Sequence, residues 1–179
     1  AAPCVTIVDD SLLKDGIASR PFDAEGVPGG TYAVIESGVL KTFLHNLKTA
    51  KKDGVQSTGN ASKSGYSAPI RVAPTNFFIK AGERNLDQLM QDIGDGLLIK
   101  EVDGLHAGAD SVSGDFSLSA KGFTVKDGKQ DKPVEQITIA GNFYEMLKAV
   151  RTVGSDLTFP QGAFGSPSVD VGMLSVAGN

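Results

Sequence analysis

Few residues in this chain have the type and spacing to do chemistry. There are two histidines, His45 and His106, and one cysteine, Cys4. A zinc site needs three or four converging His, Cys, Asp or Glu ligands, often with two histidines one helical turn apart. The histidines lie far apart, no His-Glu-x-x-His pattern exists, and Cys4 has no Cys or His beside it. His106 with Asp110 or Asp115 supplies at most part of a site. Acyl-transfer chemistry fares no better. Gly165-Ser166-Pro167 is not a nucleophile elbow, because proline follows the serine and removes an N–H that an oxyanion would need. Thr58–Gly65 has a phosphate loop's composition without its spacing. Cys4 sits in an apolar β-branched run, which predicts a buried, inert thiol.

The stretch Leu97–Phe123 must position the more interesting histidine. It reads as strand, shaped loop, strand: Leu97–Val102, then Gly104–Gly114 with His106, then Asp115–Phe123. Phe116 and Leu118 alternate with Ser117 and Ser119, the period of a strand with one buried face. A second polar stretch, Val55–Pro69, reads as a mobile loop that could act as a substrate-facing lid. The run 19–30 holds three glycines and two prolines, so it reads as a solvated loop.

Regular elements fill the remainder. Thr31–Glu36 and Val39–His45 form a hairpin across Ser37-Gly38. Leu47–Asp53 is a short helix closed by Gly54. Ile70–Ala73 and Asn76–Lys80 resume strand character around Pro74. Asn85 caps an amphipathic helix that stops near Gly94. Asp127-Gly128 turns a hairpin into Val134–Ile139, where Val134, Gln136 and Thr138 share one side and Ile137 and Ile139 the other. Asn142–Val150 is another amphipathic helix. Leu157–Phe159, Ser168–Val171 and Leu174–Val176 are closing strands. The sum is one α+β domain over 1–179, β-rich, with a mostly antiparallel, curved, barrel-like sheet and two or three short helices.

Composition narrows the function classes. A net charge of −4 argues against nucleic-acid binding through a general basic field. No apolar run approaches the ~18 residues of a transmembrane helix, and no membrane partner is expected. One cysteine makes no internal disulfide, so nothing points to an oxidising compartment. The first residues do not read as a signal peptide; they read as a cut from something longer.

Several segments together resemble the C-terminal domain of the TldD/PmbA family, known as modulators of DNA gyrase and as metallopeptidase subunits. They are Ser19–Val27, Val34–Lys41, Ser57–Ala61, Ser113–Leu118, Ile139–Phe143, Val153–Leu157 and Gly165–Gly178. They occur in the family's order and cover almost the whole chain.

The resemblance implies a longer cytoplasmic parent with upstream domains, paired with a TldD-type subunit or with a second copy, and acting on peptide substrate. Zinc and its activated water belong to the family's metal-bearing subunit, whose helical histidine motif is not in this chain. That type also has a late cysteine ligand. The matching segment here, Phe159–Ser166, has none, so the chain resembles the PmbA/TldE type. The resemblance therefore implies a structural, substrate-enclosing domain with no catalytic and no metal-ligating residue of its own. The loops Thr58–Tyr66 and Gly104–Gly114 are expected to face the substrate cavity, through Asn60, Tyr66, His106 and Asp110. The alternatives are a non-enzymatic, gyrase-modulator-type binding module, or a metal site completed at a subunit interface by His106 or His45.

Overall fold

The computed structural model describes residues 1–178. They form two compact units. The loop unit holds Val5–Lys80 and Leu157–Pro167, and the hairpin unit holds Ala1–Cys4, Ala81–Asp156 and the residues from 168 onward.

The loop unit begins with β1 (Ile7–Asp10), β2 (Thr31–Glu36) and β3 (Val39–Leu40). Ser37 and Gly38 both take positive φ, 48° and 81°, which gives the tight hairpin its right-handed twist. Helix α1 (Leu47–Asp53) is boxed at its start by Asn46 and Thr49 and ends on left-handed Gly54. β4 (Ala61–Ser62) pairs with β5 (Arg71–Val72), and β6 (Asn76–Ile79) pairs with β1.

In the hairpin unit, Asn85 forms a capping box with Gln88 and starts α2 (Leu86–Ile93). β7 (Gly96–Asp103) then leads to α3 (Leu105–Gly108), a single turn where a loop was expected. It forms because the Gly104 carbonyl accepts the N–H groups of both Ala107 and Gly108. The long β8 (Asp115–Lys126) and β9 (Lys129–Asn142) make the hairpin that dominates this unit. Asp127 and Gly128 turn it with φ of 49° and 73°. Asn142 caps α4 (Phe143–Ala149), its Oδ1 accepting from the N–H groups of Tyr144 and Glu145.

The chain closes with β10 (Thr152–Val153), β11 (Thr158–Gln161), β12 (Phe164–Ser166), β13 (Val169–Asp170) and β14 (Ser175–Ala177). β11 and β12 extend the sheet of the loop unit to the order β11-β12-β6-β1-β2-β3, with only β12–β6 parallel. β14 extends the sheet of the hairpin unit to β14-β9-β8-β7.

The fold is β-rich α+β, as expected, but among the described residues no sheet closes into a barrel, and there are four short helices. Curvature comes from bulges. Register shifts fall at Ile99/Glu101, Ala120/Gly122 and Phe123/Val125. The bulge in β9 also overturns the expected faces. Gln136 takes φ of 56°, and Val134 packs with Ile137 and Ile139 against Leu118 and Ala120. Strict alternation puts Val134 on the other face. Among the described residues no helix is long and apolar enough to cross a membrane.

Candidate functional site

The hairpin unit encloses a cleft of about 740 Å³. Helix α2 supplies one wall because its apolar residues fall on one stripe: Leu86, Leu89, Met90 and Ile93 all line the cleft. The sheet supplies the floor through Leu98, Phe116, Leu118 and Ile139. Alternation along β8 sends Phe116 and Leu118 to one face while Ser117 and Ser119 point outward. Helix α4 adds Phe143 and Tyr144 at the mouth. Gly114 is needed beside it: a Cβ there would stand 2.5 Å from the Tyr144 ring.

The rim loop is rigidified by its own side chains. Asp110 Oδ1 accepts the N–H groups of Val112 at 2.7 Å and Ser113 at 3.1 Å. Those two bonds hold the exposed Asp110 carboxyl below its ordinary range. Asp115 accepts the side-chain N–H of Asn142 at 2.8 Å, and the Tyr144 hydroxyl donates to the Ser111 carbonyl. The acidic residues lining the cleft are Asp110 and Asp170, and no Lys, Arg or His lines it. His106 is exposed on α3 and does not line the cleft. Asp110 and Asp115 are thus engaged in shaping the loop beside it.

The loop unit is organised differently. Its most buried side chains are largely polar: Asp9, Asn60, Thr75 and Asn76, none more than 2% exposed. Asp9 accepts the Asn60 Nδ2–H at 2.7 Å through one oxygen and the Thr75 N–H at 2.6 Å through the other. Asn60 also donates to the Ala73 carbonyl and accepts from the Thr58 hydroxyl. Asn60, expected at a substrate surface, is a buried strut instead. Its stretch is not simply a mobile loop: Thr58, Asn60 and Ala61 are buried, between exposed Val55 and Gln56 and the exposed residues that follow β4. Tyr66 lies in that exposed part, 98% accessible, with the Lys63 ammonium 5.5 Å from its ring centroid.

The run 19–30 is also more than a solvated loop. The Asp23 carboxylate is buried and accepts the N–H groups of Glu25, Val27 and Ala61. Glu25 reaches the first N–H of α1, at Leu47. Sequence reasoning missed Asp9 and Asp23. The available signal was Asp in a strand core and Asp two residues before another N–H, the pattern of an Asx turn.

The structure leaves the four expected residues in separate settings. Asn60 and Tyr66 belong to the loop unit, and His106 and Asp110 to the hairpin unit. His45 is 6% exposed, with Nδ1 at 3.2 Å from the Thr49 hydroxyl, so it does not reach outward. Cys4 corrects an expectation. It lies ahead of β1 and is exposed, with its Sγ 3.6 Å from the Val150 carbonyl. Among the described residues no three His, Cys, Asp or Glu converge as a metal site. The donor set therefore does not fit zinc.

A β-rich domain with short capped helices, an apolar cleft and no converging ligand set is the class this geometry defines. Residues 1–178 match the family described as the PmbA/TldA metallopeptidase C-terminal domain. A protein of Thermotoga maritima, described as a candidate modulator of a DNA gyrase, has a solved structure with a TM-score of 0.88. It is 46% identical over 98% of this chain and 40% of its own. TldE from Thermococcus kodakarensis has a TM-score of 0.88 at 28% identity, over 99% of this chain and 40% of its own. A Methanothermobacter thermautotrophicus protein named metalloprotease is 36% identical over 96% of this chain and 38% of its own length. The chain belongs to the PmbA/TldD family and matches its C-terminal domain. It spans about two fifths of the length of these relatives.

Proposed function

We propose that this chain is the non-catalytic C-terminal part of a cytoplasmic metallopeptidase subunit, PmbA/TldE-like, that helps wall a cavity holding peptide substrate. The observation that carries the reading is the pairing of two facts. The family match spans residues 1–178, and among the described residues no three His, Cys, Asp or Glu side chains converge to hold the metal that a metallopeptidase needs. The donor set must then come from elsewhere, either from other domains or from a TldD-type subunit or second copy. The exposed Tyr66 loop and the rim loop with His106 and Asp110 are the segments offered to that cavity. Both are surface loops on sheet scaffolds, the usual arrangement for contact residues.

The test is reconstitution. Metal content and cleavage of an unfolded peptide are measured for this chain, for the full-length polypeptide, and for that polypeptide with a TldD-type subunit. Activity only in the last sample supports the reading. Stoichiometric zinc and cleavage by the 179-residue chain alone would overturn it. Inactivity of the pair would favour the binding module. Loss of the pair's activity after His106→Ala, with zinc lost in step, would show a metal site completed at the interface.

A further inference from the structure

The cleft of the hairpin unit has more apolar surface than a finished core leaves open. Val102, Leu105, Phe143 and Tyr144 line it while staying between 37% and 59% exposed. Exposed apolar groups gathered at one concavity mark an interaction site. We infer that this cleft receives an amphipathic helical segment, basic at its flanks, from the part of the same polypeptide that precedes this domain in the family.

Three observations select that occupant. The first is the lining. Its polar residues include Asp110, Ser111, Ser168 and Asp170, and the remainder is almost wholly aliphatic or aromatic. An extended peptide laid there would bury backbone N–H and C=O groups without partners, because β8 and β9 of the floor are already paired on both sides. A helix satisfies its backbone internally and presents only side chains. The second is charge. The charged residues of the lining are the two carboxylates Asp110 and Asp170, with no Lys or Arg among them. Asp110 is held ionised by the N–H groups of Val112 and Ser113. Lys or Arg at the flanks of the occupant completes the rim.

The third is where the chain goes. Ala2 is 5% exposed and its N–H donates to the Leu147 carbonyl at 2.9 Å. Leu147 lies in α4, whose Phe143, Tyr144 and Met146 line the cleft. Ala2 therefore lies beside the cleft wall. In the relatives more than half of the protein lies outside the matched region, and the family description places this region last.

The inference rests on family membership alone, so its test does not need peptidase activity. A photo-crosslinking residue is placed at Val102 or Leu105 in the full-length polypeptide, and the products are mapped by mass spectrometry. The expected result is an intramolecular crosslink to residues ahead of Ala1, recurring every three or four positions. Crosslinks to a second copy, crosslinks to an added unfolded peptide, or no crosslink at all would each overturn it. Neutralising the rim with Asp110→Asn and Asp170→Asn, whose side-chain oxygens still accept the loop N–H groups, gives a second readout. Hydrogen exchange in the crosslinked segment should rise by about two- to fivefold, as loss of surface ion pairs allows. The same change at Asp127, which does not line the cleft, should leave it unaltered, and equal effects from both would also overturn the inference.

Discussion

The two units solve burial in opposite ways. The hairpin unit is built on Leu118, Ala120, Ile137 and Ile139, with Leu97, Ile99, Phe116 and Val134 packed against them. The loop unit buries Asp9, Asn60, Thr75 and Asn76 more deeply than almost any apolar side chain it has. Apolar packing is non-directional, so a sheet face can keep its fold and still leave a cleft open. A buried hydrogen-bond network is directional. It admits one arrangement of the strands and loops that feed it, because each missing partner is costly. The loop unit thereby fixes two irregular stretches, 19–30 and 57–61, that offer little apolar surface for a core. The hairpin unit keeps one face free for something to bind.

That comparison breaks most readily at Asp9. Asp9→Ala strands the Asn60 Nδ2–H and the Thr75 N–H in a dry interior. The expected loss is about 3 kcal/mol of unfolding free energy. Urea denaturation followed by circular dichroism measures it. A loss under about 1 kcal/mol would mean that the network is decorative. Leu118→Ala is the matching change in the hairpin unit. It removes a side chain 7% exposed, but one that already borders open space. The cost should fall at the low end for such a truncation, about 2–3 kcal/mol.

What the sequence showed and what it hid divide along the same line. Caps and turns were legible because their chemistry is local. Asn85 was read as the cap of its helix and is one, while Asn46 and Asn142, which cap theirs, were not singled out. Ser37-Gly38 and Asp127-Gly128 turn their hairpins with the backbone those residues favour. The ordered family segments were legible too, and they carried the C-terminal-domain assignment. The burial of Asn60 was not legible, because its partner Asp9 is 51 positions away and a polar residue in a Gly/Ser-rich run looks solvated. The inward turn of Val134 was hidden by a bulge that no local pattern marks. The cleft was invisible for a further reason: each of its walls is an ordinary amphipathic face, and only tertiary placement leaves the gap between them.

A smaller effect sharpens the contrast through pH. Asp156 is partly desolvated, which works to raise its carboxyl. The Ser168 hydroxyl and N–H, donating at 2.7 and 2.9 Å, outweigh this and, with the Lys100 charge, hold it below its ordinary value of 3.8. A depressed folded-state value stabilises the protein above the unfolded value and is lost as pH falls through the folded one. Asp156→Asn should therefore cost under about 1 kcal/mol near neutrality, because the group is exposed to screening solvent. The difference from the parent should shrink to nothing as the pH falls well below 3.8. Thermal midpoints across that range check it, and a gap that persists in acid would assign the effect to packing.

The smallest expected change in stability is at Tyr66, and it separates fold from function most cleanly. The ring is 98% exposed and its one aromatic contact is the Lys63 ammonium, 5.5 Å from the centroid. A fully wet cation–π pair contributes about 0.5 kcal/mol. Tyr66→Ala should leave the urea midpoint almost unmoved. If the exposed loop faces peptide, the same change in the reconstituted pair should raise KM for an unfolded peptide and leave kcat near its parent value, the signature of lost binding common to ground and transition states. Tyr66→Phe keeps the ring and should restore KM. A mutant with unchanged KM would remove Tyr66 from the substrate surface. A mutant that unfolds would show that the loop unit depends on its exposed tip as well as on its buried carboxylates.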